Sequence, residues 1–281
     1  MRAASEQAPN KDIEFTPVPP HSRATRLRRR RDALTDKTSP LVRQFIASPN
    51  HDERVGNVVD ILLLHYTGMP DADGALMRLC AADSKVSSHY LVRENGEIIQ
   101  LVPEERRAWH AGVSNWRGYT DINSRSIGIE IANAGHDGGC PDYPPAQIEA
   151  VIALCRDILG RWPIPPDQVL AHSDVAPTRK QDPGEYFPWE RLHESGIGLW
   201  SLDTPPDDPS AALDSQQRTR LLQMLETYGY GVVASGGEDD NTAAVIAGFQ
   251  RHFRPQLVNG IADLSTLARL EKLLSLRDAK A

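Results

Sequence analysis

A short apolar run at residues 58–64 is the feature that most constrains the fold of this chain. Apart from Asp60, the run consists of valine, isoleucine and leucine, and a bounded run of this length and composition favours a buried strand. It is followed directly by His65. Because α/β folds place their chemistry at the ends of buried strands, we expect His65 to lie at a functional edge of a sheet.

A hairpin is predicted next along the chain. Residues 89–92 and 97–102 have apolar strand patterns, and the turn between them contains Asn95 and Gly96. An Asn-Gly pair between two strand patterns is a strong short-range hairpin signal.

The following segment, residues 126–133, alternates as a strand does and places Glu130 on the opposite face from Ile129 and Ile131. If this strand is central, the Glu130 carboxylate lies in an enclosed place, which indicates a functional role.

Helical patterns separate these strands. From Pro145 to Gly160, apolar positions recur every 3.6 residues, which predicts a long amphipathic helix packed on the sheet. Shorter helices are expected at 75–82 and 188–195, and a short strand at 168–171. The alternation predicts an α/β fold with a mixed β-sheet flanked by helices.

The loop at residues 171–184 places a histidine, a lysine and a carboxylate close together in sequence: His172, Lys180 and Asp182. An Asp before Pro favours extended backbone and a Pro-Gly pair marks a turn, so Asp182 should lie on a fixed, non-helical segment. Zinc in hydrolases takes three ligands from His, Asp and Glu and leaves the fourth position to water. His172 and Asp182 are two candidate ligands, and the third must come from elsewhere in the chain.

The domain organisation follows from composition shifts. Residues 1–38 lack a hydrophobic period and are expected to be a disordered leader. Residues 39–200 form the main domain, 201–212 are a Pro- and Asp-rich linker, and 213–281 form a separate three-helix bundle. The small core of such a bundle suits binding better than catalysis.

Composition excludes several classes of function. A net charge of -7 argues against nucleic-acid binding, although Arg28 to Arg31 form a basic run. Three cysteines without CxxC spacing predict neither a disulfide framework nor a thiolate zinc site. No run approaches the roughly 18 apolar residues of a membrane span, and residues 1–20 lack the apolar core of a signal peptide. We therefore expect a cytoplasmic protein, or a periplasmic one if the true start lies elsewhere.

Five motifs in collinear order resemble the zinc-dependent N-acetylmuramoyl-L-alanine amidases of the AmpD/AmiD type (amidase family 2). They span about residues 40 to 200 and are Leu64-His65-Tyr66-Thr67, Ser88-His89-Tyr90-Leu91-Val92, Ala108-Trp109-His110-Ala111-Gly112, Ile127-Gly128-Ile129-Glu130 and the loop 172–184. The tail resembles the small peptidoglycan-binding domain that some of these amidases carry, through residues 244–253 and 259–263 with Thr266.

The resemblance implies a role for each matched position. It makes His65, His172 and Asp182 the ligands of Zn²⁺. It makes Glu130 the residue that moves a proton from the zinc-bound water, and it places Lys180 near the developing oxyanion. The implied reaction is hydrolysis of the amide between N-acetylmuramic acid and L-alanine in peptidoglycan or muropeptides, by an enzyme expected to be a monomer.

Alternatives remain at several of these positions. Glu130 could be a structural partner of Arg125 or Arg179, and Lys180 could be an exposed surface lysine. His89 and His110 could contact the substrate or support the metal ligands.

The whole chain also has two alternative functions. It could be a non-catalytic peptidoglycan or muropeptide sensor with the same fold, or a zinc hydrolase with another amide substrate.

Overall fold

The computed structural model describes residues 37–56, 58–201, 213–231 and 240–279. The predicted leader up to residue 36, with its Arg28 to Arg31 run, lies outside these residues, as does the predicted linker from residue 202 to 212. The strands are β1 (Gln44–Phe45), β2 (His51–Glu53), β3 (Ile61–Tyr66), β4 (Tyr90–Val92), β5 (Ile98–Gln100), β6 (Arg106–Ala108), β7 (Ser126–Ile131) and β8 (Val169–Ala171). The helices are α1 (Ala72–Cys80), α2 (Ile122–Arg125), α3 (Pro145–Arg161), α4 (His172–Val175), α5 (Trp189–Glu194), α6 (Ser215–Tyr228), α7 (Asp240–Phe253) and α8 (Leu264–Asp278).

A six-stranded mixed sheet organises the larger part of the chain, in the order β1-β5-β4-β7-β3-β8. Strand β3 pairs in parallel with both β7 and β8, and the predicted hairpin β4–β5 is antiparallel. The predicted mixed sheet flanked by helices is therefore confirmed. Strand β3 extends two residues further than its apolar run because its pairing with β7 continues, and this pairing sets His65 directly opposite Glu130.

Both faces of the sheet are covered by apolar side chains. Along β4, Tyr90 and Val92 belong to a large cluster that includes the buried face of α3, whereas Leu91 belongs to a second cluster with Leu79 of α1. Helix α3 starts with Pro145 in its first turn, as its sequence predicts. The strand ends are thus held by packing on either side, which fixes the residues that follow them.

The C-terminal helices pack against the rest of the described chain. Leu225 of α6, Phe249 of α7 and Leu270 of α8 are buried in the same continuous apolar cluster as strand β3. Helical periodicity predicts the apolar face of each helix but does not predict the surface that covers it. That residues 213–281 form a separate bundle stays a prediction from the sequence.

Within the described residues, no helix has both the length and the apolar character needed to cross a lipid bilayer.

Candidate active site

Three predicted metal ligands converge at one edge of the sheet. His65 lies near the end of β3, His172 directly follows β8, and Asp182 lies in the loop beyond α4. Because β3 and β8 are parallel neighbours, their carboxyl ends meet. The two Nδ1 atoms are 2.9 Å apart, and Asp182 Oδ2 lies 3.0 Å from His65 Nδ1 and 2.9 Å from His172 Nδ1. All three residues are buried.

The protonation pattern of the two rings favours a cation between them. His172 Nε2 lies 3.0 Å from the Ala111 carbonyl oxygen and donates to it, so in the neutral ring the lone pair is on Nδ1. Burial, followed by the nearby His172, lowers the pKa of His65 to about 4, so this ring is neutral at pH 7. Burial alone would raise the pKa of Asp182, but His172 and His65 outweigh it and lower that pKa, so the carboxylate is ionised. Two nitrogen lone pairs and a carboxylate oxygen at these separations fit one metal ion.

His110 orients the His65 ring from behind. Its Nδ1 is 3.0 Å from His65 Nε2, and its Nε2 is 3.3 Å from the hydroxyl of Ser126. That hydroxyl lies 2.7 Å from the Ile122 carbonyl oxygen and donates to it. We assign the ring protons to match this chain, so that Ser126 accepts from His110 and His110 accepts from His65. The His65 Nδ1 lone pair then faces His172 and Asp182. Such outer partners fix the tautomer and orientation of metal-binding histidines.

Glu130 places a carboxylate beside this cluster. Its Oε2 atom is shielded from solvent and has no hydrogen-bond partner among the described residues. Burial, together with the charge of Asp182, raises the pKa of Glu130 to about 8, against the lowering effect of Lys180. Glu130 is half-buried as a whole, but its shielded oxygen is costly to keep charged without a partner. Groups with such perturbed pKa values cluster at functional sites.

The two arginines that were weighed as structural partners of Glu130 are engaged elsewhere. Arg125 pairs with Asp60, and Arg179 donates to the carbonyl oxygens of Ala111 and Val113 at 2.7 and 2.8 Å.

Lys180 is half-buried and lines the same cleft as Glu130 and the three ligand residues. The cleft has a volume of about 500 Å³. Its ammonium makes no hydrogen bond or ion pair within the described parts of the chain. A free cation in this cleft can meet negative charge on a bound molecule.

Other aromatic and histidine residues near the site differ in their placement. Trp109 and His110 line the cleft, whereas Trp116 is buried against Tyr230. His89 is fully buried; its Nδ1 accepts from the Gly128 amide at 2.9 Å, and its Nε2 is 3.0 Å from the Arg106 carbonyl oxygen. His89 therefore stabilises the sheet rather than contacting the cleft.

Sequence reasoning missed a chain of three polar residues at the cleft wall, Tyr66, His136 and Glu185. The Tyr66 hydroxyl is 2.9 Å from His136 Nδ1, and His136 Nε2 is 3.0 Å from Glu185 Oε2. The available signal was position, because Tyr66 ends β3 and His136 follows the neighbouring end of β7. Arg251 of α7 also lies 3.5 Å from Glu185, so this wall reaches the C-terminal helices.

Comparison with known protein families gives two collinear matches. Residues 55–185 match the N-acetylmuramoyl-L-alanine amidase family model, and residues 214–270 match a peptidoglycan binding domain model. The first contains every candidate site residue, and the second covers most of α6 to α8.

Individual relatives agree with these matches. N-acetylmuramoyl-L-alanine amidase AmiD of Escherichia coli (strain K12) is 43% identical over 234 residues, which cover 77% of this chain and 82% of AmiD. The structure of E. coli AmiD with anhydro-N-acetylmuramic acid-L-Ala-D-gamma-Glu-L-Lys has a TM-score of 0.69 at 41% identity, and covers 82% of this chain and 91% of that one. AMPDH3 from Pseudomonas aeruginosa in complex with anhydromuramic pentapeptide has a TM-score of 0.67 at 35% identity, with 79% and 93% covered.

The converged ligand atoms, the adjacent carboxylate and the likeness along both parts of the chain lead to one assignment. This chain belongs to the N-acetylmuramoyl-L-alanine amidase family.

Proposed function

We propose that this protein is a zinc amidase that cleaves the bond between the lactyl group of N-acetylmuramic acid and the L-alanine of the stem peptide. The observation that carries the proposal is the juxtaposition, in one open cleft, of three metal-ligand atoms, a carboxylate and an ammonium. Among the described residues, nothing pairs with Glu130 Oε2 or with the Lys180 ammonium. The proposed zinc ligands are His65, His172 and Asp182. Zinc held there would lower the pKa of a bound water to about 7 and polarise the substrate carbonyl.

Glu130 is the proposed proton carrier. Its carboxyl group lies in the cleft beside the ligand cluster, with one oxygen unpaired. A carboxylate in this position accepts the proton of the attacking water and then delivers it to the leaving amine. In the metal-free site the pKa of Glu130 is raised to about 8. The positive charge of a bound metal would lower this pKa, which would leave the carboxylate able to accept the proton in the first step.

Lys180 is the proposed partner of the oxyanion. A preorganised cation that faces developing negative charge is worth far more in the transition state than in the ground state. The ammonium is available for this task because no carboxylate pairs with it within the described residues.

The substrate class is supported by the relatives. The matching structures of E. coli AmiD and AMPDH3 contain anhydro-muropeptides, which supports a muropeptide substrate for this chain. The match of residues 214–270 to a peptidoglycan binding domain model supports action on the polymer as well. A wall-binding module raises the effective concentration of the enzyme on an insoluble substrate.

The first test combines metal analysis with product analysis. Purified protein is assayed for zinc by elemental analysis and incubated with a soluble disaccharide peptide, and the products are identified by mass spectrometry. We expect one zinc per chain and release of the intact stem peptide.

The same test separates the alternatives. If the protein binds the muropeptide but releases no peptide, it is a non-catalytic sensor. If it cleaves only a different amide, it is a zinc hydrolase with another substrate. Full zinc occupancy in His172→Ala would exclude the proposed ligand set.

The compartment and the oligomeric state remain predictions from the sequence. Cell fractionation of a tagged full-length chain tests the cytoplasmic and periplasmic alternatives, and analytical ultracentrifugation tests the monomer.

A further inference from the structure

A buried carboxylate lies two residues beyond the proposed zinc ligand His172. Asp174 is fully buried in the short helix α4, which begins with His172. Its Oδ2 accepts the backbone amide of Ala171 at 2.8 Å and so closes the turn around His172. If this carboxylate were displaced, the backbone that carries the His172 ring would lose this hydrogen bond.

Two other partners of Asp174 come from the C-terminal domain. The Tyr230 hydroxyl, just beyond α6, lies 2.6 Å from Asp174 Oδ1 and donates to it. His252 of α7 lies with its Nδ1 2.6 Å from Asp174 Oδ2. Both side chains are buried, and burial followed by the Asp174 charge raises the pKa of Tyr230, which keeps the phenol protonated as a donor.

Packing holds these two donors in place. The His252 ring stacks on Trp189 with ring centroids 3.7 Å apart, and Tyr230 packs edge-on against Trp116 at 5.0 Å. Helix α7 approaches α4 at a glycine, since a Cβ atom on Gly248 would lie only 2.7 Å from the Ser173 carbonyl oxygen. The contact between α7 and the segment that carries His172 is therefore closely packed.

We infer that the C-terminal domain is a structural part of the metal site, in which Tyr230 and His252 position His172 through Asp174. A carboxylate away from water is stable only when it is paired and hydrogen-bonded. Without the two C-terminal donors, Asp174 turns toward solvent and α4 turns with it. This inference rests on the proposed role of His172 as a zinc ligand. It gives these helices a role beyond the binding function that is expected from the sequence.

Substitutions in the full-length protein test the inference. Tyr230→Phe removes one donor and keeps the ring. His252→Phe keeps the stacking and removes the other donor, whereas His252→Asn keeps a donor near the Nδ1 position and loses the stacking. The matched control is Leu270→Ala, which removes a fully buried side chain of α8 and touches none of the hydrogen bonds around Asp174.

Two measurements report on α4 directly. Hydrogen exchange in the zinc-free protein reports on the amides of residues 171–175, and competition with a chromophoric chelator gives the zinc affinity. We expect Tyr230→Phe and His252→Phe each to accelerate exchange at Ala171 and to weaken zinc binding by about 10-fold, as loss of an outer partner of a metal ligand does. His252→Asn should retain most of the affinity. Leu270→Ala should lower the melting temperature but leave zinc affinity within about 2-fold.

Turnover of a soluble disaccharide peptide provides an independent readout. A domain that only binds the wall would leave this turnover unchanged, whereas a domain that positions a zinc ligand lowers it in both Phe variants. Wild-type zinc affinity, exchange and soluble turnover in both Phe variants would overturn the inference. If the wild-type protein itself binds no zinc, the proposed function fails instead, so the two failures are distinguishable.

Discussion

Replacement of Glu130 by glutamine is expected to change the pH dependence of stability in the zinc-free protein. The folded state raises the pKa of this carboxyl from 4.5 to about 8. Between these values the folded chain binds a proton that the unfolded chain has released, so Glu130 makes the protein less stable as pH rises. Glutamine does not titrate and removes this dependence.

The magnitude follows from the shift. One pKa unit corresponds to about 1.4 kcal/mol, so the linkage amounts to about 3 kcal/mol between pH 5 and pH 8 for a fully buried group. Solvent reaches part of the Glu130 side chain and screens it, which lowers the expected change to about 2 kcal/mol. The unpaired amide of the glutamine costs about 1–3 kcal/mol at every pH. This cost changes the free energy of unfolding of the variant by the same amount at each pH, so it does not alter the pH dependence of the difference from wild type.

The assay is urea unfolding of the chelator-treated protein at several pH values from 5 to 8. The difference in free energy of unfolding between Glu130→Gln and wild type should move in favour of the variant by about 2 kcal/mol across this range. Glu94→Gln, on the exposed hairpin turn, is the matched control and should show a flat difference. A flat difference for Glu130→Gln as well, or one that moves against the variant, would refute a buried, proton-holding carboxyl. With zinc bound, the same variant should lose turnover by about 100-fold or more and retain its metal.

Further substitutions test the other parts of the site. Lys180→Ala should lower kcat by about 100-fold with a smaller change in KM, whereas a raised KM with unchanged kcat would indicate a ground-state binding role. Gly128→Ala would place a Cβ atom 2.6 Å from His110 Nδ1 and displace that ring. Zinc affinity, measured by chelator competition, should therefore fall by about 10-fold. Gly160→Ala is the control, because open space surrounds that position, and it should leave the zinc affinity unchanged. In Glu130→Gln, the zinc-free protein should lose stability as pH falls from about 6.5 toward 4. Burial lowers the pKa of His65 to about 4, so the unfolded chain takes up a proton at a higher pH than the folded chain does. A melting temperature that stays constant over this range would contradict this expectation.

Local patterns in the sequence determined most of the secondary structure. The apolar run before His65, the Asn-Gly turn and the 3.6-residue period of α3 all predicted their elements correctly, within two or three residues at the ends. These signals are local, since side-chain periodicity and turn chemistry depend on neighbours in the chain. The order of the motifs also identified the family, and the likeness to known amidases confirmed it.

Only the tertiary structure decided how these residues meet. The contact of His65 with His172 joins positions 107 residues apart, and no local pattern states that their Nδ1 atoms face each other. The orienting role of His110 depends on which ring nitrogen faces which neighbour, which is a property of packing and of the hydrogen-bond chain around it.

The C-terminal domain shows the same limit most clearly. Its helices were predictable from their apolar positions, yet its relation to the active site was not. Asp174 and His252 are 78 residues apart and lie within segments that two different family models match, residues 55–185 and residues 214–270. Periodicity marks which face of a helix is apolar, but the choice of the surface that covers it is made by shape and by the pairing of buried charge. The sequence by itself therefore determined the elements, the family and the candidate ligands, while the tertiary structure decided that the C-terminal helices complete the surroundings of His172.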